Sequence, residues 1–193
     1  AVGVGPSGGR VGGATPDTRN ILSGNSSGVL VQNGSGLVIE GNFIGLDATG
    51  ASALGNGTGV DLRGSGNTLG GTTPAERNVI AGGSGIGVTT TGNFIEGNFI
   101  GTDVTGTIGL GLTTAIRVDG SGATIGGPTS TPGTEAGNVI NASQTGFNGG
   151  NGIVITIVSG TVVQGNLIGT DVTGTKTIGF RFDGVQISGS SNT

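Results

Sequence analysis

The sequence has no Cys, His, Met, Trp or Tyr, and only 9% of its 193 residues are charged. Without Cys or His, a disulfide framework and a Cys/His metal centre are excluded. The missing His also excludes a Ser-His-Asp triad and His-based acid–base catalysis. Lys and Arg total 7 against 11 Asp and Glu, a net charge of −4, which is unsuited to binding nucleic acid. No apolar run reaches the roughly 18 residues that a membrane span needs.

What the chain does contain is Gly, at 47 positions, together with many Ile and Val residues that far outnumber Leu. β-branched side chains favour strands over helices. Frequent Gly between short apolar stretches is typical of tight turns. The composition therefore predicts an all-β fold with many short strands.

The sequence also repeats itself, in two alternating motifs. Gly-Asn-apolar-Ile-Gly occurs at 41–45, 97–101 and 165–169, and Arg/Gly-Asn-apolar-apolar occurs at 19–22, 77–80 and 137–140. A shorter turn of the chain thus alternates with a longer one. We predict a single domain over 1–193, made of nearly three two-turn repeats at approximately 11–68, 69–124 and 125–193.

Each turn contains three short apolar stretches, which is the pattern of a parallel β-helix (β-solenoid). Successive turns would stack by strand hydrogen bonds at about 4.8 Å. About seven turns are expected on this reading of the repeat. Ile, Val, Leu and most of the Phe residues would fill the interior.

Two stretches carry a resemblance to a known family: Asn98 to Thr107 (NFIGTDVTGT), and Gly70 to Pro74 (GGTTP) leading to Arg77-Asn78-Val79-Ile80. They resemble the bacterial right-handed parallel β-helix repeat proteins, which share the pectate-lyase-like fold. The resemblance covers essentially the whole chain. It implies a right-handed solenoid and an extracellular or cell-surface location, and it implies no particular activity.

Six Asn residues recur at the start of one strand in each turn. Stacked at about 4.8 Å, their amides can hydrogen-bond from turn to turn. We therefore predict a structural ladder rather than a polar binding track, formed by Asn20, Asn42, Asn78, Asn98, Asn138 and Asn166.

Asp47, Asp103 and Asp171 recur in every second turn, each followed by a Thr-Gly step. The bland interpretation is a loop cap in which the carboxylate accepts backbone N–H groups. The alternative is a row of calcium sites in a calcium-stabilised adhesin, although each loop offers one carboxylate where calcium prefers several. No other cofactor and no other metal is expected.

The outward face of the second strand carries Asp61, Arg63, Arg117 and Asp119. Paired carboxylates could bind or cleave a polysaccharide, as in pectate-lyase-like modules that this fold resembles. The alternative is a solvated pattern of cross-strand charges. Arg19 and Arg77, with Asp17 and Glu76 nearby in sequence, are expected to form exposed ion pairs.

Two irregular segments, Pro128 to Glu135 and Gln144 to Asn151 around Phe147, are the places where a local ligand or partner would be sought.

The two ends of the chain share one phase of the repeat. Val2 and Val4 align with Val60 and Leu62, as do Val185 and Ile187. Uncapped solenoid ends invite strand addition. The hypothesis is a structural, non-enzymatic extracellular β-solenoid that assembles end to end into a filament or sheath, or forms a stalk segment of a longer surface protein. Its partners would be further copies or further repeats, with polysaccharide as the alternative, and neither nucleic acid nor a membrane span.

Overall fold

The computed structural model describes residues 8–142 and 150–193. Within them the chain forms 18 short β-strands and one short 3-10 helix, Pro16–Thr18. The strands occur in a fixed order of three per turn, and each of the three kinds belongs to its own sheet.

Sheet A consists of β1 (Arg10–Gly12), β4 (Val38–Glu40), β7 (Thr68–Gly70), β10 (Phe94–Glu96), β13 (Thr124–Gly126) and β16 (Val162–Gln164). Sheet B consists of β2 (Ile21–Leu22), β5 (Phe43–Ile44), β8 (Val79–Ile80), β11 (Phe99–Ile100), β14 (Val139–Ile140) and β17 (Leu167–Ile168). Sheet C consists of β3 (Ser27–Gln32), β6 (Thr58–Arg63), β9 (Ser84–Val88), β12 (Thr114–Val118), β15 (Asn151–Ile155) and β18 (Val185–Ile187).

Every strand pair in these sheets is parallel and joins one turn to the next. The predicted all-β parallel solenoid is therefore confirmed, with six turns in the described residues. The sequence predicted about seven turns. The additional strand expected at Val2 and Val4 lies outside the described residues.

The interior is filled by columns of aliphatic side chains that point inward from all three sheets. In sheet C two positions of each strand point inward, as in Val60 and Leu62 or Ile116 and Val118, all fully buried. In sheet B the second residue of each strand points inward, as does Ile44, which is also fully buried. Alternation along an extended strand places every other side chain inside, so short apolar-x-apolar stretches are enough to build one continuous core.

Longer loops alternate between the two corners that border sheet B. In the first, third and fifth turns the longer connection lies between sheets A and B, at 13–20, 71–78 and 127–138. In the second, fourth and sixth turns it lies between sheets B and C and begins with a hairpin closed by one antiparallel bridge: Leu46 with Ala53, Thr102 with Gly109, and Thr170 with Thr177. This alternation is the structural basis of the two-turn repeat in the sequence.

Candidate functional site

The six predicted ladder residues lie directly before the strands of sheet B and form one continuous hydrogen-bonded column. The Asn78 side chain donates from Nδ2 to Oδ1 of Asn98 at 2.9 Å, and the Asn78 backbone N–H donates to the same oxygen at 3.2 Å. The same pair of bonds joins each ladder residue to the next, from Asn20 through Asn42, Asn78, Asn98 and Asn138 to Asn166.

From Asn42 onward, each ladder amide also donates to a backbone oxygen of the preceding turn at the same corner. Nδ2 of Asn98 donates to the backbone oxygens of Leu69 at 2.8 Å and of Glu96 at 2.9 Å. Asn98 is fully buried, as are its neighbours Asn78 and Asn138. Buried polar groups must be hydrogen-bonded to avoid a penalty, and here the ladder satisfies them turn by turn. Its side chains are engaged in the fold, which favours the structural interpretation over a binding track.

A second, shorter Asn ladder was not predicted. Asn67 and Asn93 lie at the corner before sheet A and are fully buried. Asn67 donates to Oδ1 of Asn93 from its backbone N–H at 3.0 Å and from Nδ2 at 3.1 Å. The sequence signal is an Asn directly before a sheet A strand, but Leu37 holds the same position one turn earlier, and the mixture of Leu and Asn hides the column.

Asp47, Asp103 and Asp171 each cap a hairpin between sheets B and C. Oδ1 of Asp103 accepts the backbone N–H of Thr107 at 3.1 Å and of Ile108 at 3.0 Å, while Oδ2 accepts the Thr105 hydroxyl at 2.6 Å. Asp47 and Asp171 accept the corresponding groups of their own loops. These are the contacts of the loop-cap interpretation.

Hydrogen bonding to the ionised form lowers the pKa of all three carboxyls. The hydroxyl of Thr49 is the main cause for the pKa of Asp47, and that of Thr173 for the pKa of Asp171. At Asp103 burial pushes the pKa up, but the bonds from Thr105 and the backbone outweigh it, and the pKa lies below its ordinary value. Within residues 8–142 and 150–193, no group of three or more Asp or Glu residues is placed to hold a metal ion.

The three hairpins stack on one another outside sheet B. The Val104 N–H donates to the Gly50 oxygen at 2.9 Å, and the Val172 N–H donates to the Gly106 oxygen at the same distance. Gly50 lies against the ring of Phe43, and a Cβ there would approach Cε2 to 2.8 Å. A side chain at this position would push the hairpin off the ring, which explains the repeated Thr-Gly step.

The hairpins cover a second apolar cluster that the sequence did not predict. Phe43 and Phe99, expected in the interior, point outward from sheet B and are buried beneath the hairpins together with Val79 and Val139. The prediction for these two rings was wrong because alternation along a two-residue strand sends Ile44 and Ile100 inward and the preceding Phe outward.

The cations before the ladder contact these rings rather than acidic neighbours. The Arg19 guanidinium lies 4.2 Å from the centroid of the Phe43 ring, and that of Arg77 lies 3.9 Å from the centroid of the Phe99 ring. Nε of Arg77 also donates to the Gly97 oxygen at 3.0 Å. These are cation–π contacts. The expected exposed ion pairs with Asp17 and Glu76 are replaced by them, because each Arg reaches across one turn to an outward Phe.

The third copy of the repeat changes both partners of this contact. Gly137 stands where Arg19 and Arg77 stand in the other copies, and Leu167 stands where the Phe rings stand. Gly133 of the longer loop packs on Leu167, where a Cβ would approach Cδ1 to 2.6 Å. The predicted irregular segment Pro128 to Glu135 thus fills the place of the missing Arg. Most of the other irregular segment, including Phe147, lies outside the described residues.

The four charged residues of the candidate ligand face form two separate ion pairs. Arg63 contacts Asp61 at 2.7 Å, and Nε of Arg117 contacts Asp119 at 2.8 Å. The hydrogen bond that Arg63 donates to Asp61 raises the pKa of Arg63. Both Arg side chains are more than half exposed, at 54% and 55%.

The two ion pairs do not meet. Strand β9 lies between them, and the register places Gly87 between Asp61 and Arg117. The pairs are therefore two turns, or about 9.6 Å, apart. Their order along the strand is also reversed, since Asp61 precedes Arg63 whereas Arg117 precedes Asp119. The face carries a charge quadrupole centred between Gly87 and Thr89, and each carboxylate already has an Arg partner.

Of the predicted assembly residues, Val185 and Ile187 are described and lie in β18. Their side chains continue the inward columns of sheet C, yet they are 39% and 53% exposed, whereas Ile153 and Ile155 in the preceding turn are fully buried. Within the described residues, this column is therefore left partly uncovered at β18. Val2 and Val4 lie outside the described residues.

Comparison with protein-family models, curated proteins and solved structures finds no match. Within the described residues, no helix is long and apolar enough to cross a membrane.

Proposed function

We propose that the chain acts as a structural, non-catalytic β-solenoid at the cell surface or outside the cell, where it extends into a longer rod by stacking a further coil of the same repeat on its sixth turn. The observation that carries this proposal is the exposure of Val185 and Ile187, two side chains whose column is otherwise buried. Burying apolar area is worth about 25 cal/mol per Å², so a matching coil is favoured there.

The Asn ladder also favours the addition of a further coil after the sixth turn. Each of the ladder residues from Asn20 to Asn138 donates its backbone N–H to Oδ1 of the ladder Asn in the next turn, and Asn166 ends the ladder in the described turns. A further coil with Asn at this position would accept from Asn166 as Asn166 itself accepts from Asn138. Backbone groups along the edge of β18 would pair in the same step.

The engaged side chains favour a structural role over catalysis. The ladder amides bind each other, the three Asp carboxylates hold hairpins, and Asp61 and Asp119 are neutralised by adjacent Arg residues. These contacts supply rigidity to a rod.

The test compares two substitutions on the same strand by sedimentation velocity and light scattering over a range of concentrations. Ile187→Lys places a charge in the apolar column and is expected to abolish end-to-end association. Gln186→Lys adds the same charge on the exposed outward face of β18 and is expected to leave association intact.

Circular dichroism and thermal melting would show that both variants keep the fold. An unmodified chain that stays a single rod at every concentration, or an Ile187→Lys variant that associates as the unmodified chain does, would contradict the proposal.

A further inference from the structure

The charge quadrupole on sheet C has an unusual symmetry. Along the stacking direction, Asp61 is followed by Gly87 and then Arg117 in one outward column. Arg63, Thr89 and Asp119 follow one another in the next column. A rotation by 180° about an axis that runs along strand β9 through Gly87 exchanges the position of Asp61 with that of Arg117. It also exchanges the positions of Arg63 and Asp119, so each charge moves to a position of the opposite sign.

The flanking residues obey the same relation. The next residues along the same column, on either side of the quadrupole, are apolar. Leu30 lies one turn before Asp61, and Val154 lies one turn after Arg117. Both side chains are partly exposed. The half-turn exchanges Leu30 with Val154, so apolar positions meet apolar positions while the charges meet their opposites.

We infer that sheet C is a face through which two copies of this chain associate side by side, running in opposite directions about a two-fold axis at Gly87. In this dimer Asp61 faces Arg117 of the second copy, Arg63 faces Asp119 of the second copy, and Leu30 faces Val154 of the second copy. Such an isologous contact closes on itself. It is separate from end-to-end stacking because it uses a side of the rod rather than its sixth turn.

The centre of the face is shaped for close approach. Gly87 has no side chain, and a Cβ built there would have only Asp61 Oδ1 within 4 Å, at 3.7 Å. Two sheets could therefore approach at Gly87, with Thr89 further along the same axis and the two Arg and two Asp side chains on either side of it. Each Arg keeps further N–H donors for the opposite carboxylate, since a guanidinium has five.

A second axis would also match the charges, but it fits the flanks less well. Rotation about the stacking direction would place Asp61 against Arg63 of the second copy, which is favourable. It would also bring Leu30 against the exposed, polar Gln32. The match of Leu30 with Val154 favours the axis along the strands.

The size of the face sets the strength of the contact. Five turns at about 4.8 Å and strands of about five residues give about 24 Å by about 17 Å, or about 400 Å² per copy. The total of about 800 Å² is below the roughly 1,200 Å² of stable complexes. The dimer is thus weak and concentration-dependent. Its charges fix orientation more than affinity and make it sensitive to salt.

The experiment exchanges the two members of each ion pair, which keeps composition, net charge and the pair within the strand. Asp61→Arg with Arg63→Asp makes like charges face each other, and dimer affinity should fall about tenfold or more. Adding Arg117→Asp with Asp119→Arg inverts both pairs and should restore the affinity of the unmodified chain.

Sedimentation equilibrium at low and high salt measures the dimer, and the Ile187→Lys background removes end-to-end association so that the two proposals are tested separately. Gly87→Gln supplies a second variant, since the site has room for a side chain that would hold the two sheets apart. Circular dichroism verifies the fold in each case.

Loss of the dimer in the single exchange and in Gly87→Gln, with recovery in the double exchange, supports the inference. An unmodified chain that is monomeric up to millimolar concentration would overturn it. So would an unchanged dimer in the single exchange, or a face occupied only when a polysaccharide is added.

Discussion

The Asn ladder allows a quantitative prediction, which we develop for Asn98→Ala. Asn98 is fully buried, and its side chain takes part in five hydrogen bonds: Oδ1 accepts two from Asn78, and Nδ2 donates to Oδ1 of Asn138 and to the backbone oxygens of Leu69 and Glu96. The change removes these five bonds and keeps the two backbone bonds, from its own N–H to Asn138 and from the Val139 N–H to its own oxygen.

The expected cost follows from the groups left behind. The Asn78 backbone N–H and one Nδ2 hydrogen of Asn78 lose their shared acceptor, whereas the Glu96 oxygen keeps the bond from the Gly71 N–H. A buried polar group left unsatisfied costs about 1–3 kcal/mol, so we expect the free energy of unfolding to fall by about 3–5 kcal/mol. A loss of this size is at the upper end for a single substitution.

Asn20→Ala is the matched control. Asn20 begins the ladder, is exposed, and donates its backbone N–H and Nδ2 to Asn42. Water can replace the lost contact there, so we expect about 0.5–1 kcal/mol. Urea unfolding followed by circular dichroism measures both variants. Equal losses in the two variants would refute the conclusion that the buried ladder stabilises the stack.

Three further predictions concern the corners and the hairpins. Arg77→Ala should lower the free energy of unfolding by about 1–2 kcal/mol through loss of the contact with the Phe99 ring, whereas Arg63→Ala on the exposed face should lower it clearly less. Gly70→Ala should cost about 3 kcal/mol or more, because φ is +90° and a Cβ would overlap the Glu96 oxygen, whereas Gly66→Ala, at φ +65° with no atom within 4 Å, should cost about 1 kcal/mol; urea unfolding measures all four. Because the folded pKa of Asp103 lies below its ordinary value, its ionised form stabilises the fold at neutral pH, and this stability should be lost as pH falls below about 5. Melting temperature measured as a function of pH tests this, because Asp103→Asn should reduce the fall in melting temperature at acid pH. An unchanged fall in the variant would contradict the hydrogen-bonded role of this carboxylate.

The repeat made the fold predictable from the sequence. The Asn residues mark the start of one strand in each turn, and the apolar-x-apolar stretches mark the other strands. Because successive side chains of a strand point to opposite faces, each such stretch has one buried face. Asp103 and its counterparts were predictable as loop caps, since the following Thr-Gly step is the pattern of such turns.

What the sequence could not provide was the second layer outside sheet B. A two-residue strand such as Phe43–Ile44 contains two apolar residues and is too short to show a pattern. The sequence therefore does not indicate which of the two side chains points inward. The cation–π contact of Arg19 depends on a residue 24 positions away, and its cue is only that Arg and Phe disappear together in the third copy. The symmetry about Gly87 depends on register between turns of unequal length, which is a property of the folded stack.

The proposal that the chain is a rod-forming structural solenoid is tested most directly by electron microscopy of the purified chain over a range of concentrations, combined with diffraction from aligned material. Six turns at about 4.8 Å give a single unit about 29 Å long. Straight rods much longer than this are expected at high concentration, with a reflection at about 4.8 Å along the rod axis, and no long rods are expected for Ile187→Lys. Particles that keep the length of one unit at every concentration would contradict it.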